Sequence, residues 1–122
     1  MGYYISENER AESQLAEHNS SNGSTFHRLG NLKNSKHWSV GIKGSEKIIK
    51  GKLGRRNLID YYRQVNDENK TIGTWYDDVQ DLTFLDTVIL FDIEERESAI
   101  KYGKINDQIA IFNLQDNQVL FI

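Results

Sequence analysis

The sequence predicts an α+β domain in which two or three helices pack on a largely antiparallel sheet. Trp38, Val40 and Ile42 alternate with Ser39, Gly41 and Lys43, the two-residue period of a half-buried strand. Leu58, Tyr61, Tyr62 and Val65 recur at i, i+3, i+4 and i+7, one apolar stripe on a helix. Along the chain the patterns run helix, strands, helix, strands, helix, strands, an order that favours an antiparallel sheet with separate helices over repeated βαβ units. The 122 residues fit a single domain, 1–122, because halves of this length would bury too little apolar surface to fold.

The first helix is expected over Glu7 to His18. Ser6 followed by Glu9 has the spacing of a capping box, and Asn19 to Gly23 ends the segment. Its inward candidates are Ala11 and Leu15, a thin stripe, so residues 1–22 are expected as a peripheral helix that needs a partner surface or a neighbouring subunit. Gly44-Ser45 offers a turn from the Trp38 strand into Lys47 to Lys50, which reads as a hairpin. The second helix lies between Gly54 and Asn66, and Ile72 to Tyr76 is a short strand.

Asp77, Asp78 and Asp81 read as a solvated turn, lacking the glycine and bidentate glutamate of a calcium loop. Thr83 to Phe91 follows, and Val88-Ile89-Leu90-Phe91 is expected at the centre of the sheet because both of its faces are apolar. Asp92 with Glu95 opens a third helix, in which Ala99, Ile100 and Gly103 form a closely packing face. Gln108 to Leu114 and Gln118 to Ile122 close the chain as two strands joined over Gln115 to Asn117.

Cysteine and proline are both absent, which removes disulfide scaffolds, thiolate nucleophiles and most structural zinc sites. No apolar run is long enough to span a membrane, and Met1 to Asn8 lacks a signal-peptide pattern, so a cytoplasmic protein is expected. His18, His27 and His37 match no common metal spacing, and Ser24 to Arg28 supplies no identifiable third member for a nucleophilic site. No catalytic residue, metal or cofactor is assigned.

Charge is the strongest functional signal. Between Lys33 and Arg56 stand eight Lys or Arg residues against the single acid Glu46, about +7 in a chain of net charge -3. Such separation points to one surface for an anionic ligand. Gly51 to Arg56 runs into the start of the second helix, where free backbone N–H groups favour an anion, and Arg55 and Arg56 could clamp a phosphate. The spacing is neither a Walker loop nor a dinucleotide fingerprint. Tyr61 and Tyr62 belong to the core stripe, whereas Trp75 could be a buried anchor or a platform for a base. A sequence pI of 5.6 and an acidic last third disfavour a nucleic-acid strand and favour a small phosphorylated nucleotide-like ligand.

Trp38-Ser39-Val40, Ile72-Gly73-Thr74-Trp75, Phe84-Leu85-Asp86, Ala99-Ile100 with Gly103, and Gln108 to Asn113 together resemble small proteins of bacteriophages and mobile elements, over roughly Lys36 to Ile122. The pattern is also similar to the Thoeris-countering sponge family, which sequesters cyclic ADP-ribose signals of host immunity. That resemblance implies a non-enzymatic counter-defence protein acting in the host cytoplasm, with Arg55 and Arg56 on phosphate, Trp75 stacking, and Lys101 or Gln108 assisting. Asp107 departs from the asparagine of those phage proteins, which puts a ligand role for that turn in doubt. The alternatives are an acidic inhibitor that mimics nucleic acid against a host nuclease or defence protein, and a small transferase or hydrolase using His27 or a carboxylate pair. The thin first helix and the apolar ending Val119 to Ile122 call for a homo-oligomer under any of these.

Overall fold

A computed structural model describes residues 6–27, 29–65 and 70–122. In chain order the elements are α1 (Glu7–Ser21), β1 (Gly23–His27), β2 (Gly30–Asn31), β3 (His37–Gly41), β4 (Lys47–Lys50), α2 (Arg55–Val65), β5 (Thr71–Asp77), β6 (Leu82–Asp92), α3 (Arg96–Ile105), β7 (Ala110–Asn113) and β8 (Gln118–Phe121). The strands form one curled antiparallel sheet in the order β2-β1-β5-β6-β3-β7-β8, with β4 also paired to β6. The fold is α+β, as the sequence patterns require. Asn66, the expected end of the second helix, lies outside the described residues, as does Arg28.

Strand β6 is the spine. Its residues 82–88 pair with β5, while its other edge pairs first with β4 through Leu82 to Leu85 and then with β3 through Val88 to Asp92. Strands β3 and β4 therefore do not form the expected hairpin: both run antiparallel to β6, one after the other. Residues 42–46 are an offset within one edge, and Ser45 stitches it down. Its hydroxyl donates to the Ile42 carbonyl at 2.7 Å and accepts from the Thr87 N–H at 3.0 Å, taking the place of a backbone partner.

Because side chains alternate along a strand, the odd-numbered residues of β6 share one face. Leu85 on that face joins Leu53, Leu58, Ile59, Tyr61, Tyr62 and Ile72 under α1 and α2. Phe91 on the same face joins Trp38, Val40, Ala99 and Ile111 under α3. The three helices of the described residues thus cover one side of the sheet, and none of them lies on the even-numbered side of β6. Gly103 lets α3 approach closely: a Cβ there would lie 2.6 Å from Ile122 Cδ1 and 3.0 Å from Ile111 Cγ2. The N-cap of α3 is Glu95, not Asp92; its carboxylate accepts the Asp92 N–H across a turn that delays the helix to Arg96.

Helix α1 carries the expected capping box between Ser6 and Glu9. Its inward stripe is wider than expected. Ala11 is fully buried and Leu15 packs against the same core, as expected, but beside them lie Arg10, Gln14 and His18, one helical turn apart. Gln14 donates to the Ile72 carbonyl at 3.0 Å and accepts from the Tyr62 hydroxyl at 2.6 Å. Arg10 lies 4.3 Å over the Tyr62 ring and donates to the Phe26 carbonyl. His18 Nδ1 meets the Thr74 hydroxyl at 2.7 Å, and burial holds the pKa of this histidine below its usual value. The helix docks through polar side chains that hydrogen-bond to β1 and β5, which an apolar-stripe reading does not register.

Candidate functional site

Folding undoes much of the charge separation that the sequence displays. Lys33 pairs with Glu17, Lys43 with Asp107, Arg55 with Glu12 and Arg56 with Asp60, so four of the eight cations between Lys33 and Arg56 meet acids. Arg55 and Arg56 are exposed, and the Gly54 N–H at the start of α2 is already bonded to the Asn57 side chain at 2.8 Å. They stand on the helix-covered side of the sheet. Lys101 lies on the exposed surface of α3, also on that side. Trp75 and Gln108 occupy the opposite, helix-free side. The five residues expected to share a site therefore divide between two faces.

On the helix-free side, the register of β4, β6 and β5 builds three cross-strand rows. Ile48, Phe84 and Trp75 form the middle one. Trp75 is 54% exposed and stacks on Phe84, with ring centroids 5.5 Å apart and planes inclined by 28°. On one flank lie Lys50, Leu82 and Asp77. On the other, about 7 Å along the strands, Asp86 faces Gly73, and Glu46 comes level with it one residue before β4 begins. Trp38, by contrast, is buried and donates its indole N–H to the Ile93 carbonyl at 2.9 Å.

Asp86 is the least conventional group of the molecule. Glycines flank it on both neighbouring strands: a Cβ at Gly41 would lie 2.7 Å from Asp86 Oδ2, and one at Gly73 would lie 3.0 Å from Asp86 Oδ1. The carboxyl thus fills the space two missing side chains leave. It borders a hollow of about 280 Å³ lined also by Lys43, Glu46, Asn106, Asp107 and Gln108. Part of the residue can be reached from this hollow, but protein encloses the carboxyl on most sides, and burial together with the nearby Glu46 pushes its pKa up to about 7. Among the described residues no hydrogen-bond donor reaches it. Gln108 donates its amide to the Asn106 carbonyl at 3.1 Å and turns Oε1 toward the same gap, 2.7 Å from the missing Gly41 Cβ.

A second, shallower hollow lies between α1 and the β1–β2 turn, lined by Ser13, Glu17, Phe26 and Asn31 among others. Its polar groups are already engaged, since Glu17 accepts from Ser21, Asn31 and Lys33. Ser24 points toward α1 and bonds Thr74 and Gln14, so it makes no pair with His27. No group of three or more His, Asp or Glu able to hold a metal ion occurs among the described residues. Nor is any of their helices long and apolar enough to cross a membrane.

No protein-family model matches the chain, and no curated protein or solved structure matches it either. The site must be read from its own geometry. Of the residues on this side, sequence reasoning singles out Trp75 and Gln108 but not Asp86, Glu46 or the two glycines. The one signal available was the pair of glycines, Gly41 and Gly73, inside strand patterns, which marks a close approach of another group.

Proposed function

We propose that this protein is a binding protein that captures a nucleotide-derived ligand on the helix-free side of its sheet and leaves it chemically unchanged. The observation that carries this reading is the half-exposed Trp75 seated on Phe84 beside Ile48, a flat apolar row with no helix over it. Stacking of a base on such a row is worth about 1–3 kcal/mol. Lys50 on the adjacent row and Lys52 just beyond it are exposed and form no ion pair among the described residues, so they take the role of phosphate ligands in place of Arg55 and Arg56. Asp86 and Gln108 stand on the other flank, where the polar edge of a base would fall. In this reading the chain is a phage-type counter-defence sponge for a host signal of the cyclic ADP-ribose kind.

Calorimetry with cyclic ADP-ribose isomers and cyclic oligonucleotides tests the proposal, read together with Trp75 fluorescence. Binding is expected to be lost in Trp75→Ala and weakened in Lys50→Ala, with Arg55→Ala unaffected. Absence of heat from every ligand in a folded sample would refute it.

A protein partner is favoured by a different observation. Ile109, Val119 and Phe121 are exposed near β8, the last strand of the sheet, whose outer edge has no neighbour among the described residues. The occupant proposed for this edge is a second copy of the chain, pairing β8 with β8.

A further inference from the structure

Two hydrogen-bond acceptors converge over the Cα of Gly41 with no donor between them. Asp86 Oδ2 and Gln108 Oε1 each lie 2.7 Å from the point a Gly41 side chain would occupy. The described residues offer neither oxygen a hydrogen bond, although buried carboxyls in folded proteins are nearly always supplied with donors. The lysine that lines the hollow does not serve, because Lys43 Nζ is committed to Asp107 at 2.6 Å. The Gln108 amide is fixed the wrong way round by its own bond to Asn106.

We propose that the hollow beside Gly41 and Gly73 is a recognition site for a cationic N–H donor, an ammonium or amidinium group, held between the Asp86 carboxylate and the Gln108 carbonyl oxygen. The charges facing it agree with that sign. Lys43 and Asp107 cancel as an ion pair on its wall, which leaves Glu46, level with Asp86, as the net charge facing it among the described residues. On the far side of the sheet the Tyr61 hydroxyl is bonded to Ser45, and burial keeps that phenol protonated at neutral pH, so it contributes no charge. A phosphate would meet net repulsion here, whereas a positively charged donor would satisfy both oxygens at once. The glycines are what make room, since side chains at either position would occupy the approach.

The pKa of Asp86 near 7 makes the site pH-gated. Proton and ligand compete for the same carboxyl, so the donor binds more tightly as pH rises through 7. No turnover is implied: the group is bound by charge-assisted hydrogen bonds and released unchanged.

The test titrates the Asp86 carboxyl by ¹³C NMR in ethylammonium chloride or methylguanidinium chloride, with sodium chloride at equal ionic strength as control. The probes carry no base and no phosphate, so the outcome is independent of the nucleotide reading. Each probe is expected to lower the proton affinity of the carboxyl roughly tenfold at saturation, with sodium chloride inert. The effect should shrink in Gln108→Leu, and the amide signals of Gly41 and Gly73 should move with the probe alone. Equal midpoints in amine and sodium chloride would overturn the proposal, and so would an amine effect of full size in Gln108→Leu.

Discussion

Asp86 ties stability to pH in a direction opposite to most carboxylates. The ordinary aspartate value is 3.8, and burial raises this one to about 7, so across that window the folded chain keeps a proton that the unfolded chain has lost. Stability attributable to Asp86 therefore falls as pH rises from about 4 to 7, by about 4 kcal/mol in total. His18 acts with the other sign. Its pKa is held below 6.5 by burial, so the folded state resists protonation and loses stability as pH falls beneath that value. Urea unfolding of Asp86→Asn should show the loss toward neutral pH abolished and the His18 loss toward acid retained. A variant that still weakens between pH 4 and 7 as the parent does would show the carboxyl to be solvated. Nothing in Phe84-Leu85-Asp86 marks the residue in the sequence, because its burial depends on the strands that carry Gly41 and Gly73, distant along the chain and adjacent in the sheet.

At the scale of elements, periodicity located α2, where burial is one-sided, and a continuous apolar run located β6. Tyr61, Tyr62 and Leu58 are buried as the stripe on α2 requires, and β6 is the long central strand. What it missed has a common cause. Gly23 to His27 is a strand because β5 pairs with it, although Gly-Ser-Thr-Phe-His is too polar and short to announce one. Strands β3 and β4 look like a hairpin locally, and only the length of β6 reveals that both lie along one edge. Helix α3 supplies the test at this level. Replacing Gly103 with alanine gains about 1 kcal/mol of helix propensity but drives a methyl into Ile111 and Ile122. Overpacking of that kind costs about 1–3 kcal/mol, so a net loss of about 1 kcal/mol is expected, read as a lower urea midpoint with unchanged slope. A higher midpoint would mean that α3 stands off the sheet.

For the whole molecule, the decisive feature is a sheet that the described helices cover on one side. Exposed Ile48, Trp75, Val119 and Phe121 all project from the helix-free side, and among the described residues nothing pairs with the outer edge of β8. A second copy pairing at β8 would satisfy that edge and extend the open side across two subunits. Light scattering at micromolar concentration is expected to give a dimer, and Val119→Lys with Phe121→Lys a monomer of retained fold. A strictly monomeric parent would remove this proposal while leaving the Trp75 and Asp86 sites intact within one chain.

The chain alone determined its α+β class, most of its elements and the helix cap at Ser6, because these depend on neighbours within a few residues. It also marked Trp75 and Gln108 as groups of interest. Only the tertiary structure decided what the charges do, since Glu12, Glu17 and Asp107 reach Arg55, Lys33 and Lys43 from distant segments and pair with three of the eight cations of a run that looks unopposed in sequence. It likewise decided where a ligand could sit: whether a side chain is solvated or enclosed is set by which strands lie beside it, and that is a property of the sheet's register.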